Sequence, residues 1–185
     1  PKQCISVDTY RSRIAEKALD AGAAMVNDIS GGTFDDQMFD AVAGLQVPYI
    51  MMHIQGTPQT MQIAPEYNDV VQEVYEFFER QLQLLRAKGM KSTVAIDPGF
   101  GFGKTVDHNY ALLKHLALFK KLDCPLMTGL SRKSMINKVL GTKPASALNG
   151  TTVVNTIALM NGADILRVHD VKEAVQSVKI FKAYN

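Results

Sequence analysis

Short apolar runs alternate with amphipathic stretches along the whole chain. Six runs of three to five residues are too short for helices and read as strands, and each is followed by a stretch with helical periodicity. The predicted strands are 4–7, 24–26, 48–52, 93–96, 125–128 and 165–168. The predicted helices are 10–20, 36–45, 69–88, 109–118, 134–139, 145–160 and 171–184.

The strand-like runs are apolar almost throughout, which predicts a parallel sheet covered on both faces, as in an α/β fold. An open doubly wound sheet and a (β/α)₈ TIM barrel both fit this pattern. Polar or reactive residues end every strand, and only a barrel collects all strand ends at one mouth. We therefore predict a TIM barrel of which six C-terminal βα units are present. The expected organisation is a single domain over 1–185 that lacks its first units.

The net charge of +2, with 46% hydrophobic and 21% charged residues, is ordinary for a globular protein. This balance argues against nucleic acid or a membrane surface as partner, so an anionic ligand needs a local cluster. No apolar stretch approaches the length of a membrane span. Cys4 and Cys124 each open a predicted buried strand, which favours free thiols and a cytoplasmic location.

The most informative segment is Asp97–Lys104, where a carboxylate ends a strand and three glycines alternate with two phenylalanines. Glycine permits close approach of the backbone to a ligand, and the rings of Phe100 and Phe102 offer flat walls for a flat heterocycle. The alternative is a tight turn with a helix-capping Asp. A plain turn needs neither two phenylalanines nor three glycines, so the segment favours a binding site.

Two basic clusters follow later strands. Arg132 and Lys133 adjoin hydroxyl residues after the fifth strand, where a cation pair at a helix start opposes the helix dipole and so favours an anionic or electron-rich ligand over a solvated helix start. Arg167 and His169 point the same way if the sixth strand stays extended, and the pair suits a phosphate or diphosphate. A capped histidine and an arginine on a surface carboxylate explain that second pair equally well.

Three acceptors also end strands at the predicted mouth, namely Asp8, Asn27 and Asp97. Any one of them alone is more often a helix cap or turn residue. Asp28 is a weaker candidate ligand than Asn27, because successive side chains of a strand point to opposite faces. Buried carboxylates need donors, which Lys133 and a ligand rich in N–H groups would provide.

Two further residues follow the third strand. Met52 is a candidate apolar wall of the pocket. His53 is more often a structural hydrogen-bonding group than a catalyst, and nothing in the chain has the spacing of a structural zinc site.

Together these motifs resemble the dihydropteroate synthases of the pterin-binding enzyme family, over the whole length of the chain. The similarity rests on six segments in order, Ser6–Thr9, Val26–Gly32, Met52–Gly56 with Thr60–Gln62, Asp97–Lys104, Ser131–Ser134 and Arg167–Asp170.

The resemblance implies condensation of 6-hydroxymethyl-7,8-dihydropterin diphosphate with 4-aminobenzoate, giving 7,8-dihydropteroate and diphosphate in folate biosynthesis. The pterin-binding residues it implies are Asp8, Asn27, Met52, Asp97, Phe102, Gly129 and Lys133. Phe102, Ser131 and Lys133 would border the 4-aminobenzoate site, where sulfonamides compete. Arg167 and His169 would hold the diphosphate, with Mg²⁺ assisting, and Lys133, Arg167 and His169 would be catalytic.

The chain departs from the family pattern at its start. Two strands with an Asn-x-Thr-Pro-Asp-Ser-Phe loop and a Thr-Arg-Pro-Gly loop are absent, and the first of these carries the family's magnesium-binding Asn. We therefore expect no metal ligand in this chain and poor turnover by it alone. A non-catalytic pterin- or sulfonamide-binding fragment and a pterin-dependent methyltransferase domain stay open as alternatives. The resemblance also implies a homodimer, for which the apolar run at 153–160 is a candidate surface, although a buried helix explains that run equally well.

Overall fold

A computed structural model describes residues 3–185, and its elements follow the predicted order. The strands are β1 (Ser6–Asp8), β2 (Met25–Asp28), β3 (Tyr49–Met52), β4 (Val94–Asp97), β5 (Met127–Thr128) and β6 (Ile165–Leu166). The helices are α1 (Ser12–Asp20), α2 (Met38–Leu45), α3 (Val70–Ala87), α4 (Val106–Lys114), α5 (Ser134–Leu140), α6 (Leu148–Met160) and α7 (Val171–Tyr184). Two 3₁₀ segments, Leu116–Leu122 and Pro144–Ser146, precede β5 and α6.

The strands lie side by side in the order in which they occur in the chain. β1, β2, β3 and β4 form one parallel sheet, β5 and β6 pair in parallel, and a bridge between Ile96 and Leu126 joins the two groups. A doubly wound sheet reverses its strand order at a switch point, whereas a barrel does not. The unreversed order confirms the prediction of a partial TIM barrel.

The strand register separates two apolar layers, because residues paired across parallel strands face the same side. On the outer face, the side chains that join the main core beneath the helices include Val26, Met51, Ile96 and Leu126. On the inner face, a small separate cluster consists of Met25, Ile50, Ala95 and Met127. The interior of the barrel therefore has an apolar floor below the carboxyl ends of its strands.

The sequence of the long helix α3 explains why it forms and packs against the sheet. Asp69 caps it by accepting hydrogen bonds from the backbone N–H groups of Val71 and Gln72, and the cap stabilises the helix by about 1 kcal/mol. Its buried face includes Val74 and Phe78, which are four residues apart and fully covered. The helix therefore lies against the outer face of the sheet.

The prediction that all strands are covered on both faces is wrong for β1 and β6. Both are largely exposed, because each pairs with only one other strand in the described part of the chain. Cys4, which precedes β1, is likewise exposed, whereas Cys124 is buried as predicted.

Two helix boundaries also differ from the prediction. The segment predicted as a helix over 109–118 begins earlier, at Val106, because Thr105 and His108 form a capping box, so His108 belongs to a helix start. The segment predicted over 145–160 opens with a 3₁₀ turn at Pro144–Ser146, and α6 begins only at Leu148.

Candidate functional site

One layer of side chains lies at the carboxyl ends of the strands, two positions beyond the apolar floor. We call it the mouth layer, and it consists of Asp8, Asn27, Met52, Asp97, Gly129 and Arg167. Each belongs to a different strand or follows it directly. A hydrogen bond of 3.1 Å from Arg167 Nη2 to Asp8 Oδ2 connects the last strand to the first. All six are predicted site residues, and the fold brings them together.

Asp97 is the buried charge of the mouth layer. Only 4% of its surface is exposed, and it accepts a hydrogen bond of 2.8 Å from the backbone N–H of Gly99. Burial raises the pKa of Asp97, while the nearby Lys133 ammonium opposes that rise. This carboxylate is therefore costly to keep charged unless further donors reach it.

Gly129 leaves open space next to these charges. A Cβ atom at this position would lie 3.7 Å from Asp97 Oδ2, 3.7 Å from Lys133 Nζ and 3.9 Å from the Cβ of Arg167. A carboxylate and two cationic side chains thus border a gap that a single methyl group would occupy.

Asn27 presents an unsatisfied oxygen to the same mouth layer. Its Oδ1 atom is buried and has no hydrogen-bond partner, a state shared within residues 3–185 with Thr128 Oγ1 and Asn155 Oδ1. An unpaired buried acceptor costs about 1–3 kcal/mol. Of the three, Asn27 is the mouth-layer member, and a ligand N–H would remove this cost.

Lys133 and Phe102 form the wall above Asp97. The ammonium of Lys133 lies 4.8 Å from the centre of the Phe102 ring and donates a hydrogen bond to the carbonyl oxygen of Phe100. Burial lowers the pKa of Lys133 to about 8, with Asp97 opposing the change. Phe102 is half-buried, but Phe100 is fully buried in the core, so the prediction that both rings wall the pocket is wrong for Phe100.

The prediction of a paired cation site is wrong for Arg132. Its backbone has φ of 57°, and its guanidinium binds the two carboxylate oxygens of Asp170 at 2.7 and 2.9 Å. The remaining nitrogen donates to the carbonyls of Pro144 and Ala145. Arg132 therefore stabilises the entry to α6 and α7, and Lys133 alone of the two adjacent cations reaches the mouth layer.

The geometry of Arg167 and His169 differs from simple strand alternation, because β6 ends at Leu166. Arg167 contacts Asp8, whereas His169 Nδ1 lies 2.9 Å from the hydroxyl oxygen of Ser131. The hydroxyl of Ser131, which is expected at the 4-aminobenzoate site, is therefore hydrogen-bonded to His169. The two basic residues therefore contact different neighbours.

Asp28 lies outside the mouth layer, as predicted. Its carboxylate accepts hydrogen bonds from the backbone N–H and hydroxyl of Ser30 and from the Tyr49 hydroxyl at 2.6 Å. Because it is satisfied and fully buried, it fixes the loop after β2.

Sequence reasoning missed Lys104, which is 4% exposed and lies beneath the glycine-rich segment. Its Nζ atom lies 2.9 Å from His53 Nδ1 and donates to the carbonyl of Phe102 at 2.9 Å. The structural role expected for His53 therefore has a definite partner. The available signal was the pair of glycines at 101 and 103, whose positive φ values of 80° and 63° turn the chain back on itself.

Residues 2–169 match the protein family described as "Pterin binding enzyme". The chain belongs to the pterin-binding enzyme family. It is 42% identical over 180 residues to the dihydropteroate synthase of Escherichia coli K12, covering 97% of this chain and 64% of that protein. The chain thus spans less than two-thirds of the length of this curated relative.

Solved structures of this pterin-binding family share the fold. The dihydropteroate synthase of Xanthomonas albilineans in complex with 7,8-dihydropteroate aligns with a TM-score of 0.90 and 36% identity, over 98% of this chain and 66% of that one. The Thermus thermophilus enzyme in complex with 4-aminobenzoate aligns with a TM-score of 0.93 and 38% identity, over 98% of this chain and 71% of that one.

Within residues 3–185, no three His, Cys, Asp or Glu side chains are grouped so as to hold a metal ion. In the same range, no helix is both long and apolar enough to cross a bilayer.

Proposed function

We propose that the polypeptide containing this chain is a dihydropteroate synthase. It would be a transferase that joins 6-hydroxymethyl-7,8-dihydropterin diphosphate to 4-aminobenzoate, with release of diphosphate. The observation that carries the proposal is the mouth layer, in which a buried carboxylate and an unpaired amide oxygen lie above an apolar floor. The names of the relatives support the same reaction.

The pterin would lie flat in the mouth, with its amino-pyrimidine edge against Asn27 and Asp97. That edge carries adjacent N–H donors, which would satisfy the free Asn27 oxygen and the buried carboxylate. Lys133 would reach the oxo edge of the ring, while Met52 and Phe102 would contact its faces. Asp8, at the rim, would complete the set of acceptors.

The 4-aminobenzoate would lie further out, against Phe102, Ser131 and Lys133. The Lys133 ammonium offers a donor for its carboxylate, the Ser131 hydroxyl borders the site while bonded to His169, and the half-buried Phe102 ring offers a surface for its aromatic ring. Sulfonamides, which resemble 4-aminobenzoate in shape, would compete for the same place.

The reaction would begin when the bond between the pterin methylene carbon and the diphosphate oxygen breaks. The electron pair leaves with the diphosphate, and positive charge develops on the pterin. The aniline nitrogen then attacks the methylene carbon and loses a proton. Preorganised charge is the main catalytic tool for such a reaction. Asp97 would favour the cationic pterin, and Arg167 and His169 would favour the leaving diphosphate.

Arg167 would have to exchange partners during this cycle. In the structure it pairs with Asp8 at 3.1 Å, and both side chains are at least half exposed. An exposed ion pair contributes at most about 1 kcal/mol, so a diphosphate with several negative charges would readily displace the Asp8 carboxylate.

The test is formation of 7,8-dihydropteroate from the two substrates by the full natural polypeptide, followed by chromatography. We expect turnover that sulfonamides inhibit competitively with 4-aminobenzoate, and loss of turnover on Arg167→Gln. Lys114→Met, on the exposed face of α4, is the control and should keep full activity. A folded protein that binds pterin but forms no product would refute the proposal.

We further propose a homodimer that pairs the outer faces of α6 and α7. On these helices Val153, Met160, Ile180 and Tyr184 are at least half exposed, and an apolar cavity of about 360 Å³ lies between the two helices. A concentration of exposed apolar side chains marks an interaction surface. Light scattering after gel filtration should give twice the monomer mass, and Ile180→Lys should give the monomer. A wild-type monomer would refute the dimer.

We also propose a cytoplasmic location. Both cysteines are free thiols, which is the usual state in a reducing compartment. Cell fractionation with an antibody to the protein tests this, and recovery in a secreted fraction would contradict it.

A further inference from the structure

The side chain of Lys104 connects two loops beneath the mouth. Its ammonium has three N–H groups, and three acceptors surround it, namely His53 Nδ1 at 2.9 Å, the Phe102 carbonyl at 2.9 Å and the His53 carbonyl at 3.4 Å. The His53 acceptors follow β3, and the Phe102 acceptor belongs to the glycine-rich segment after β4. Lys104 therefore ties this segment to the end of β3.

The segment tied in this way holds Lys133. The carbonyl of Phe100 accepts a hydrogen bond from the Lys133 ammonium, and the Phe102 ring lies 4.8 Å from it. Between them, Gly101 approaches the Lys133 side chain so closely that a Cβ there would lie 3.3 Å from its Cδ. A shift of the segment would therefore move the ammonium of Lys133.

We propose that Lys104 is a positioning residue, which fixes the segment 97–104 on His53 and so sets the place of the Lys133 ammonium in the mouth. This inference rests on the proposed function, in which Lys133, like Phe102, would contact both substrates. Lys104 itself touches neither the mouth layer gap nor any proposed substrate atom.

The charge state of Lys104 decides how firmly it holds the segment 97–104 on His53. The charged or titratable groups that face it are His53 after β3, Asp97 from β4 and Lys133 from the turn before α5. Burial lowers the pKa of Lys104 to about 7, opposed by Asp97 and assisted by Lys133. Burial also holds the pKa of His53 well below its usual range, so the ring is neutral at neutral pH, and in the tautomer protonated at Nε2 its Nδ1 accepts from Lys104. Loss of the Lys104 proton leaves two N–H groups for three acceptors.

The test compares wild type, Lys104→Met and the exposed control Lys114→Met in the full natural polypeptide. We expect kcat/KM for the pterin diphosphate to fall about 10- to 100-fold in K104M, as for a misplaced catalytic group, and not in K114M. A plot of wild-type kcat/KM against pH should change slope near the Lys104 pKa of about 7 and again near the Lys133 pKa of about 8. K104M should lose only the first of these bends. A folded K104M with wild-type kinetics and both bends overturns the proposal.

A second measurement does not require catalysis. In protein with ¹³C-labelled lysine, the Lys133 signal, assigned from Lys133→Arg, should be shifted by the Phe102 ring in wild type and not in K104M. His53→Phe keeps the apolar packing against Phe77 but removes the Nδ1 acceptor, and should move the same signal in the same direction. An unchanged Lys133 signal in both variants overturns the positioning role. A wild type with the shifted signal and no dihydropteroate formation refutes the proposed reaction alone.

Discussion

Replacing Gly129 by Ala tests the mouth layer with a single methyl group. The backbone at Gly129 does not have a positive φ, and the new Cβ would meet its three nearest neighbours at 3.7–3.9 Å, which is ordinary van der Waals contact. The fold should therefore accept the change, with the free energy of unfolding altered by no more than about 1 kcal/mol.

The effect on ligand binding should be much larger. The methyl group would fill the gap bordered by Asp97, Lys133 and Arg167, where the pterin is proposed to lie. Forcing one extra carbon into a well-packed contact costs about 1–3 kcal/mol. Since about 1.4 kcal/mol corresponds to a factor of ten, the Kd for the pterin should rise by about fivefold to 150-fold.

The assay is titration calorimetry with a dihydropterin, paired with thermal unfolding of each variant. Gly44→Ala is the matched control, because Gly44 is exposed on α2 and an added Cβ meets nothing within 4 Å. That control should stabilise the helix by about 0.5–1 kcal/mol and leave the Kd unchanged. If folded G129A binds with the wild-type Kd, the pterin does not occupy the gap, and the proposed orientation is wrong.

Four other predictions follow from the same structure. Burial raises the pKa of Asp97 above 3.8, so the wild type should lose stability as pH rises from 3.8 through the raised pKa. Urea unfolding of Asp97→Asn should show no such loss. The same variant should bind the pterin at least tenfold more weakly than the wild type. Burial lowers the pKa of Lys104 from 10.5 to about 7, so wild-type stability should increase with pH across that interval. In urea unfolding at about pH 6 and pH 9, K104M should keep only the smaller increase that Lys133, with its pKa lowered to about 8, contributes. Arg132→Met should lower the free energy of unfolding by removing the pair with Asp170, while the exposed Lys138→Met should not, and equal unfolding midpoints would contradict the assigned role. Assayed alone, the 185-residue chain, which spans 64% of the E. coli relative, should bind pterin weakly and form little dihydropteroate, and normal turnover would contradict this.

The mouth layer could be predicted from the sequence because of two simple rules. Parallel strands bring their carboxyl ends to one edge, and side chains alternate between the two faces of a strand. These rules place Asp8, Asn27 and Asp97 together and send Asp28 to the opposite face, as the structure has them. Exposure of β1 could not be predicted from its apolar sequence, because it depends on which strands lie beside it.

Residues outside the strands were harder to predict, because turns have no fixed period. Arg132 and Lys133 are adjacent, and only the left-handed backbone at Arg132 sends its guanidinium to Asp170 instead of the mouth. Phe100 and Phe102 are separated by one residue, yet glycines with positive φ send one ring to the core and the other to the site. Lys104 ends the same segment, and its burial depends on contacts with His53, which is 51 positions away.

The mouth layer draws no two of its six members from the same strand, and Asp8 and Arg167, which touch, are 159 positions apart. Each member is thus held by a separate βα unit with its own helix. A replacement at one tip leaves the backbone path of the other five unchanged, and energetic coupling between tips should be confined to those in direct contact. Single substitutions in the mouth layer can therefore change which ligand is preferred, while the packing of the hydrophobic core stays the same.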